Sequence, residues 1–204
     1  MRPPTSAFIL LLICAVSATG CSQPYQAESL FGLGSAPAAQ ATAARKDSLE
    51  VRSIAIAPPC DCEQFTYRYA DGRMRNDDYA GFIAPPAALL GTTLTQRLAA
   101  AGVFQTVIGP QTSMAADFSL VVSIDFLGVD FDAAGTGAGL LTGRAWLLDG
   151  EGRSGKPVFQ WEHSASSALT ANTPDAVAQA LSAATDSWLD ALAAALRSGA
   201  PSAP

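Results

Sequence analysis

Histidine is all but absent from this chain: His163 is the only one among 204 residues. That removes most metal and acid–base chemistry, because a zinc centre gathers several nitrogen or thiolate ligands and a Ser-His-Asp arrangement needs an imidazole beside its serine. His163 falls in step with Phe159 and Trp161 on an alternating segment, the place of an ordinary sheet residue, and no Gly-x-Ser-x-Gly nucleophile elbow occurs. Positive charge is scarce as well. Lys and Arg number 12 against 18 Asp and Glu, a net charge of −6 with no basic stripe, which excludes binding driven by nucleic-acid phosphates. Nowhere does an apolar run reach the roughly 20 residues needed to cross a bilayer; Asp125 interrupts one candidate and Asp186 with Asp190 another. No internal repeat is visible.

What is present begins at the N-terminus. Arg2 precedes an apolar run from Ala7 to Val16, which has the length of a signal-peptide core and is too short for a membrane span. Ala18-Thr19-Gly20-Cys21 closes it, and the arrangement resembles a bacterial lipoprotein signal with its lipobox. The expectation is export, removal of residues 1–20 and acylation of Cys21, against the alternative of ordinary secretion with an incidental cysteine. One acyl chain anchors marginally and several hold stably, each buried methylene being worth about 0.8 kcal/mol. Ser22, in the place where Asp would stand, resembles lipoproteins sorted to the outer membrane, so the expected address is the periplasmic face of that membrane. From Ser22 to Ser48 the residues are mostly Ala, Ser, Gln, Gly and Pro around an island of Leu30, Phe31 and Leu33. Residues 21–48 are therefore expected to form the lipid anchor and a flexible tether of roughly 25–30 Å. Residues 49–199 have the size of one domain, and 200–204 read as a disordered tail.

Within the domain, Val51-Arg-Ser-Ile-Ala-Ile-Ala57 alternates as a first strand that Pro58-Pro59 stops. Asp61 to Phe82 carries Tyr67, Tyr69 and Tyr79 around an Asp71-Gly72 turn and reads as a hairpin or a long loop. Pro85-Pro86 opens a helix with Leu90, Leu94 and Leu98 on one face and Gly102 as its stop, followed by a short strand from Val103 to Ile108. Phe118, Leu120, Val122, Ile124 and Phe126 alternate with Ser119, Val121, Ser123, Asp125 and Leu127 in the clearest strand signal of the chain. Glycine-rich turns at Gly135 to Gly139 and Gly150 to Gly155 then make a three-stranded antiparallel meander through Leu140 to Leu148 and Val158 to Ser164. Thr173 and Pro174 start a last helix that aligns Val177, Leu181, Ala184, Trp188, Leu192 and Ala195 and ends at Gly199. The expected class is α+β: a two-layer sandwich of a mainly antiparallel sheet with two helices packed on one face.

Four motifs suggest chemistry. Gly150 to Lys156 copies most of a phosphate-binding loop, but Pro157 replaces the magnesium-binding hydroxyl and a strand pattern follows where a helix is needed. Asp130 and Asp132 imitate a calcium loop, yet Leu141 stands where a bidentate Glu would close it; Gly135, Gly137 and Gly139 form a weak fingerprint on the same turn. Cys60-Asp61-Cys62 leaves three states open, a strained bridge, two free thiols or a metal site.

Taken in order, several segments resemble the ABC-type transport auxiliary lipoprotein family, which includes the paraquat-inducible protein C type. Leu30-Phe31-Gly32-Leu33-Gly34 is similar to its early Tyr-Asp-Leu-Gly segment, and Ile56-Ala57-Pro58 to the end of its first strand. Tyr67-Arg68 resembles its Tyr-Arg pair, and Tyr79 to Pro86 its Tyr-x-x-Trp-x-x-Pro-Pro stretch, with Phe82 in place of Trp. Gly102-Val-Phe104, Ala116-Asp117, Arg144 to Asp149 and Trp161 continue the likeness; the cysteine pair departs from it. The resemblance implies an accessory of an ABC-type lipid transport system working beside an MCE-domain periplasmic protein, with no enzyme activity, no cofactor, and a ring-like homo-oligomer as one assembly. Tyr67, Arg68, Tyr79 and Phe82 are the candidate partner contacts, because aromatics and Arg dominate interface energetics. Two alternatives stay open: an envelope assembly lipoprotein serving lipopolysaccharide or peptidoglycan machinery, and a redox or metal-handling lipoprotein using Cys60 and Cys62.

Overall fold

The computed structural model of the protein describes residues 28–35, 41, 46–112, 114–150 and 155–199. The lipobox with Cys21, most of the expected tether, the turn residues 151–154 and the expected tail lie outside the described residues. Among the described residues nine strands form one mixed sheet. They are β1 (Ser29–Phe31), β2 (Ser48–Val51), β3 (Ala55–Ile56), β4 (Gln64–Arg68), β5 (Met74–Phe82), β6 (Thr106–Ile108), β7 (Phe118–Phe131), β8 (Gly137–Asp149) and β9 (Lys156–Ala168). Two helices, α1 (Pro86–Ala101) and α2 (Pro174–Gly199), pack against the sheet. The class is α+β, as the patterning implies.

The long strand β7 organises the sheet. On one side it runs antiparallel to β8, and β8 to β9, which is the expected meander. On the other side three short strands add to it in parallel: β2 at Phe118 to Leu120, β3 at Ser123 and Ile124, β4 at Val129 and Asp130. The expected first strand is thus two. From Val51 to Ala55 the chain advances four residues while β7 advances only three, from Leu120 to Ser123, so residues 52–54 leave the ladder as a bulge. The β4–β5 hairpin, with β1 parallel to β5, completes this wing, and β6 lies parallel to β2 rather than starting at Val103.

A second bulge changes which residues of β7 are core. Pairing with β8 shifts register between Ile124 and Phe126, leaving Asp125 out of the ladder with its carboxylate on the Arg144 guanidinium at 2.7 and 3.2 Å. An extra residue sends the following side chains to the opposite face. Leu127, placed on the polar side by strict alternation, is accordingly buried together with Val129.

Both helices follow their apolar stripes. Leu90, Leu94 and Leu98 of α1 are buried, and Gly102 adopts φ 62°, returning its N–H to Ala99 O. Along α2 the buried series runs Val177, Leu181, Ala184, Trp188, Leu192, then Leu196; Ala195 is only half-buried. Thr173 caps this helix, its carbonyl accepting from Val177 N–H and its hydroxyl from Ala176 N–H. Close approach of α2 to β8 depends on Gly139, where a Cβ would stand 2.5 Å from the Ala180 carbonyl carbon.

Part of the stretch expected as tether belongs to the fold. Leu33 is in the core, and beyond it the chain is clamped between the helices. Thr93 Oγ1 donates to Leu33 O at 3.1 Å, Ser35 Oγ donates to Asp186 at 2.6 Å, and the Arg97 guanidinium reaches Asp186, Asp190 and Ser35 O. The Arg97 side chain is only 12% exposed. Arg97→Ala is expected to cost about 1.5–3 kcal/mol, the range for hydrogen bonds to charged groups, read as a lower urea midpoint at unchanged slope. Faster amide exchange at Ser35 should accompany it; an unshifted midpoint would mean that the clamp does not hold this segment.

Candidate functional site

The β4–β5 turn, the β7–β8 turn and the start of α2 converge on a groove of about 700 Å³. The first wall is the β4–β5 turn. Gly72 takes φ 83°, Tyr69 N–H donates to Arg73 O, and the Asp71 carboxylate accepts both the Arg73 N–H and its Nε at 3.0 and 2.6 Å. These donors hold the Asp71 carboxyl below its usual range, the backbone N–H first. The second wall is the β7–β8 turn, where Asp132 Oδ1 accepts the N–H groups of Ala134 and Thr136 at 2.9 and 2.8 Å. Leu169, Thr173, Pro174 and Val177 close the third side.

An aromatic stack forms the floor. Tyr69 lies on Phe131 with ring centres 5.4 Å apart and planes 12° from parallel, Tyr67 is tilted against Phe131 at 6.2 Å and 36°, and the Arg73 guanidinium lies 5.6 Å from the Tyr69 ring. Asp77 ties the stack to β5: its Oδ2 accepts the Tyr67 hydroxyl at 2.6 Å, and its Oδ1 accepts the N–H groups of Tyr79 and Ala80. Burial, then the bond to the Asp77 carboxylate, pushes the Tyr67 phenol well above its ordinary value, so it stays a donor. Opposite the step from Gln64 to Thr66, β5 advances from Asn76 to Gly81. The surplus residues swing out there and present Tyr79, 52% exposed, to the groove mouth.

The four expected contact residues therefore separate. Tyr67 and Tyr79 line the groove. Arg68 points elsewhere, its Nε on Asp130 at 2.7 Å and its guanidinium 4.2 Å over Phe126, and the bond from Arg68 holds the Asp130 carboxyl low. Phe82 is corrected outright as a surface contact: it is 3% exposed and packs edge-on against Phe65 at 5.0 Å. Tyr69, Arg73 and Asp77 stood in the aromatic stretch without being singled out. Phe131 had no local signal, because it reaches the site through parallel pairing across 62 residues, Arg68 beside Asp130.

The other motifs take structural places. Asp130 and Asp132 are committed to Arg68 and to turn N–H groups, and among the described residues no three metal-ligating side chains gather. Strand β9 follows the phosphate-loop look-alike, with no helix N-terminus. His163 stacks on Trp161 at 5.1 Å, and its carbonyl accepts the Trp188 Nε1–H. Cys60 and Cys62 are separate thiols. Burial pushes the Cys60 thiol up, and Cys62 Sγ lies 3.3 Å from Pro59 O and accepts from Asn76 Nδ2 at 3.4 Å.

A groove walled by turns, floored with tyrosine and edged with Arg and Asp offers contact surface, and its lining contains neither Cys nor His. The family model of the ABC-type transport auxiliary lipoprotein component matches residues 31–193. The chain belongs to this family. It is an auxiliary lipoprotein component of an ABC-type transport system, and the match begins at Phe31, on the strand that docks against β5. Among solved structures, protein XCC0632 from Xanthomonas campestris superposes with a TM-score of 0.66 at 17% identity, over 85% of this chain and 95% of that one. An uncharacterized protein gives 0.64 at 14% identity over 82% and 97%. The hypothetical protein CT253 from Chlamydia trachomatis gives 0.50 at 10% identity over 75% and 99%. At these identities the likeness is one of fold. No curated protein matches the chain significantly.

Proposed function

We propose that the protein serves a lipid-transporting ABC system from the periplasmic face of the outer membrane, held there by acyl chains on Cys21. Its groove receives the periplasmic end of an MCE-domain partner. The observation that carries this reading is the groove itself. Tyr79 and Arg73 are exposed at its mouth, beside the Tyr69, Phe131 and Tyr67 rings, and such residues supply most of the binding energy at interfaces. The function is docking, with no reaction assigned to the groove. A ring-like homo-oligomer belongs to the same reading, and the outer edge of β9, unpaired among the described residues, is a surface through which copies could add strands.

The test is capture of an MCE-domain protein from solubilised envelopes. The double variant Tyr79→Ala/Arg73→Ala touches exposed side chains, so the fold should persist while capture falls about tenfold or more, in line with the loss of an interface hot spot. Tyr67 and Arg68 serve this test less well because both hold the sheet wing together through Asp77 and Asp130. Full capture by the folded double variant would move the docking surface away from the groove. Co-purification with lipopolysaccharide or peptidoglycan machinery, and with no transporter subunit, would replace lipid transport by envelope assembly.

A further inference from the structure

The docking of β1 limits how far the domain can stand from its lipid, given the reading of Cys21 as the anchor. Among the described residues β1 is the terminal strand of its wing and pairs only with β5, and it starts at Ser29, eight residues after Cys21. From Leu33 to Ser35 the chain is clamped to α1 and α2. The chain from Cys21 to Ser29 spans at most about 26–29 Å even when fully extended. A domain of this size is wider, with a radius of gyration of about 15 Å and a diameter of about 40 Å. The β1 corner is therefore held within that distance of the membrane, and the far side of the domain cannot face it.

That corner carries exposed apolar side chains. Leu30 is 49% and Ile83 64% exposed. Leu30 sits opposite Gly81 in the parallel register, and Ile83 N–H donates to Phe31 O at 2.8 Å, so the two are neighbours at one sheet edge. Phe31, the alternate residue of β1, stacks inward on Phe65 at 5.7 Å, which leaves Leu30 on the outward side. The net charge of −6 gives no attraction to anionic lipid, so contact at this corner is apolar.

We propose that Leu30 and Ile83 form a lipid-contact surface, seated in the boundary between headgroups and acyl chains of the membrane that holds the acylated Cys21. The domain then has one orientation. From Phe82, β5 runs up to about 27 Å to Met74, which turns the β4–β5 turn and its wall of the groove away from the membrane, toward an incoming partner.

The full-length protein is purified from membranes and reconstituted in phosphatidylethanolamine/phosphatidylglycerol vesicles with or without brominated acyl chains. Ile83→Trp places a reporter at the corner, and Gln105→Trp places one beside β6, at the opposite end of the strand order. Brominated lipid should remove about half or more of the fluorescence added by Ile83→Trp, given insertion at the headgroup–acyl boundary, and leave that of Gln105→Trp unchanged. Mass spectrometry of the N-terminal peptide and vesicle flotation report the anchor separately. An acylated, floating protein whose Ile83→Trp is unquenched overturns the lipid contact while the anchor stands; a protein without acyl chains overturns the anchor reading itself. A blue shift of Ile83→Trp that grows with protein density, without quenching by bromine, assigns the corner to a second copy and overturns the proposal.

Discussion

Cys21→Ala is expected to move the protein from the membrane fraction to the soluble fraction almost completely and to abolish its function in the cell, while leaving the domain folded. The first buried residue described is Leu33, well after Cys21 in the chain, so every described core residue is retained in the variant. No described helix is long and apolar enough to cross a membrane, and two side chains at the β1 corner are too few to replace acyl chains. A single acyl chain already holds only marginally, and membrane affinity grows by about 0.8 kcal/mol with each further buried methylene, so loss of all chains should leave only background binding. Sedimentation of envelopes measures the partition, and a thermal melt of the soluble form checks the fold. Retention of the variant in the pellet would place the anchor elsewhere and remove the basis of the tethered-docking account.

Trp188→Ala should produce the largest loss of stability of any single change considered, about 3–5 kcal/mol, the range for truncating a buried tryptophan. Trp188 is 1% exposed at the centre of α2, packs edge-on against Trp161 of β9 at 5.1 Å, and donates from Nε1 to His163 O at 3.1 Å. Truncation opens a cavity between helix and sheet and leaves that carbonyl without its donor. Against a typical domain stability of about 5–15 kcal/mol, such a loss brings the folded population close to its limit. Trp188→Phe retains an aromatic ring and loses the N–H, and is expected to cost about 1–2 kcal/mol. Urea unfolding followed by circular dichroism, with both slopes compared, separates the two variants. A loss under about 1 kcal/mol for Trp188→Ala would show that α2 is held to the sheet by its other contacts.

Where the physics is local, reading the chain succeeded. Leu90, Leu94 and Leu98 repeat at the helical period, Pro86 and Gly102 bound that helix, and the alternation in β7 with glycines at both turns marks the meander, because each signal lies within a dozen residues of its consequence. Two departures along strands came from bulges. One extra residue between Val51 and Ala55 split a strand, and one at Asp125 turned Leu127 inward. Alternation cannot foresee a bulge, since the surplus residue is defined only against the partner strand. For the same reason Phe82, in an aromatic-rich stretch, reads as surface or core until it is seen packed against Phe65, which Phe31 covers in turn.

The candidate site divides along the same line. Its tyrosines and the Asp71-Gly72 turn were legible, being carried by one hairpin. Phe131 and the start of α2 were not, because they arrive from 50 to 100 residues away through sheet pairing that leaves no local trace. The sequence by itself determined the class of fold, the family resemblance and the expected address at Cys21, all of which rest on short-range periodicity or contiguous motifs. Only the tertiary structure decided that β1 belongs to the sheet, that Arg97 and Asp186 clamp the chain behind it, and that a groove forms where two turns meet a helix. Those features depend on which distant segments share a strand edge or a helix face, and that is settled by the packing of the whole chain.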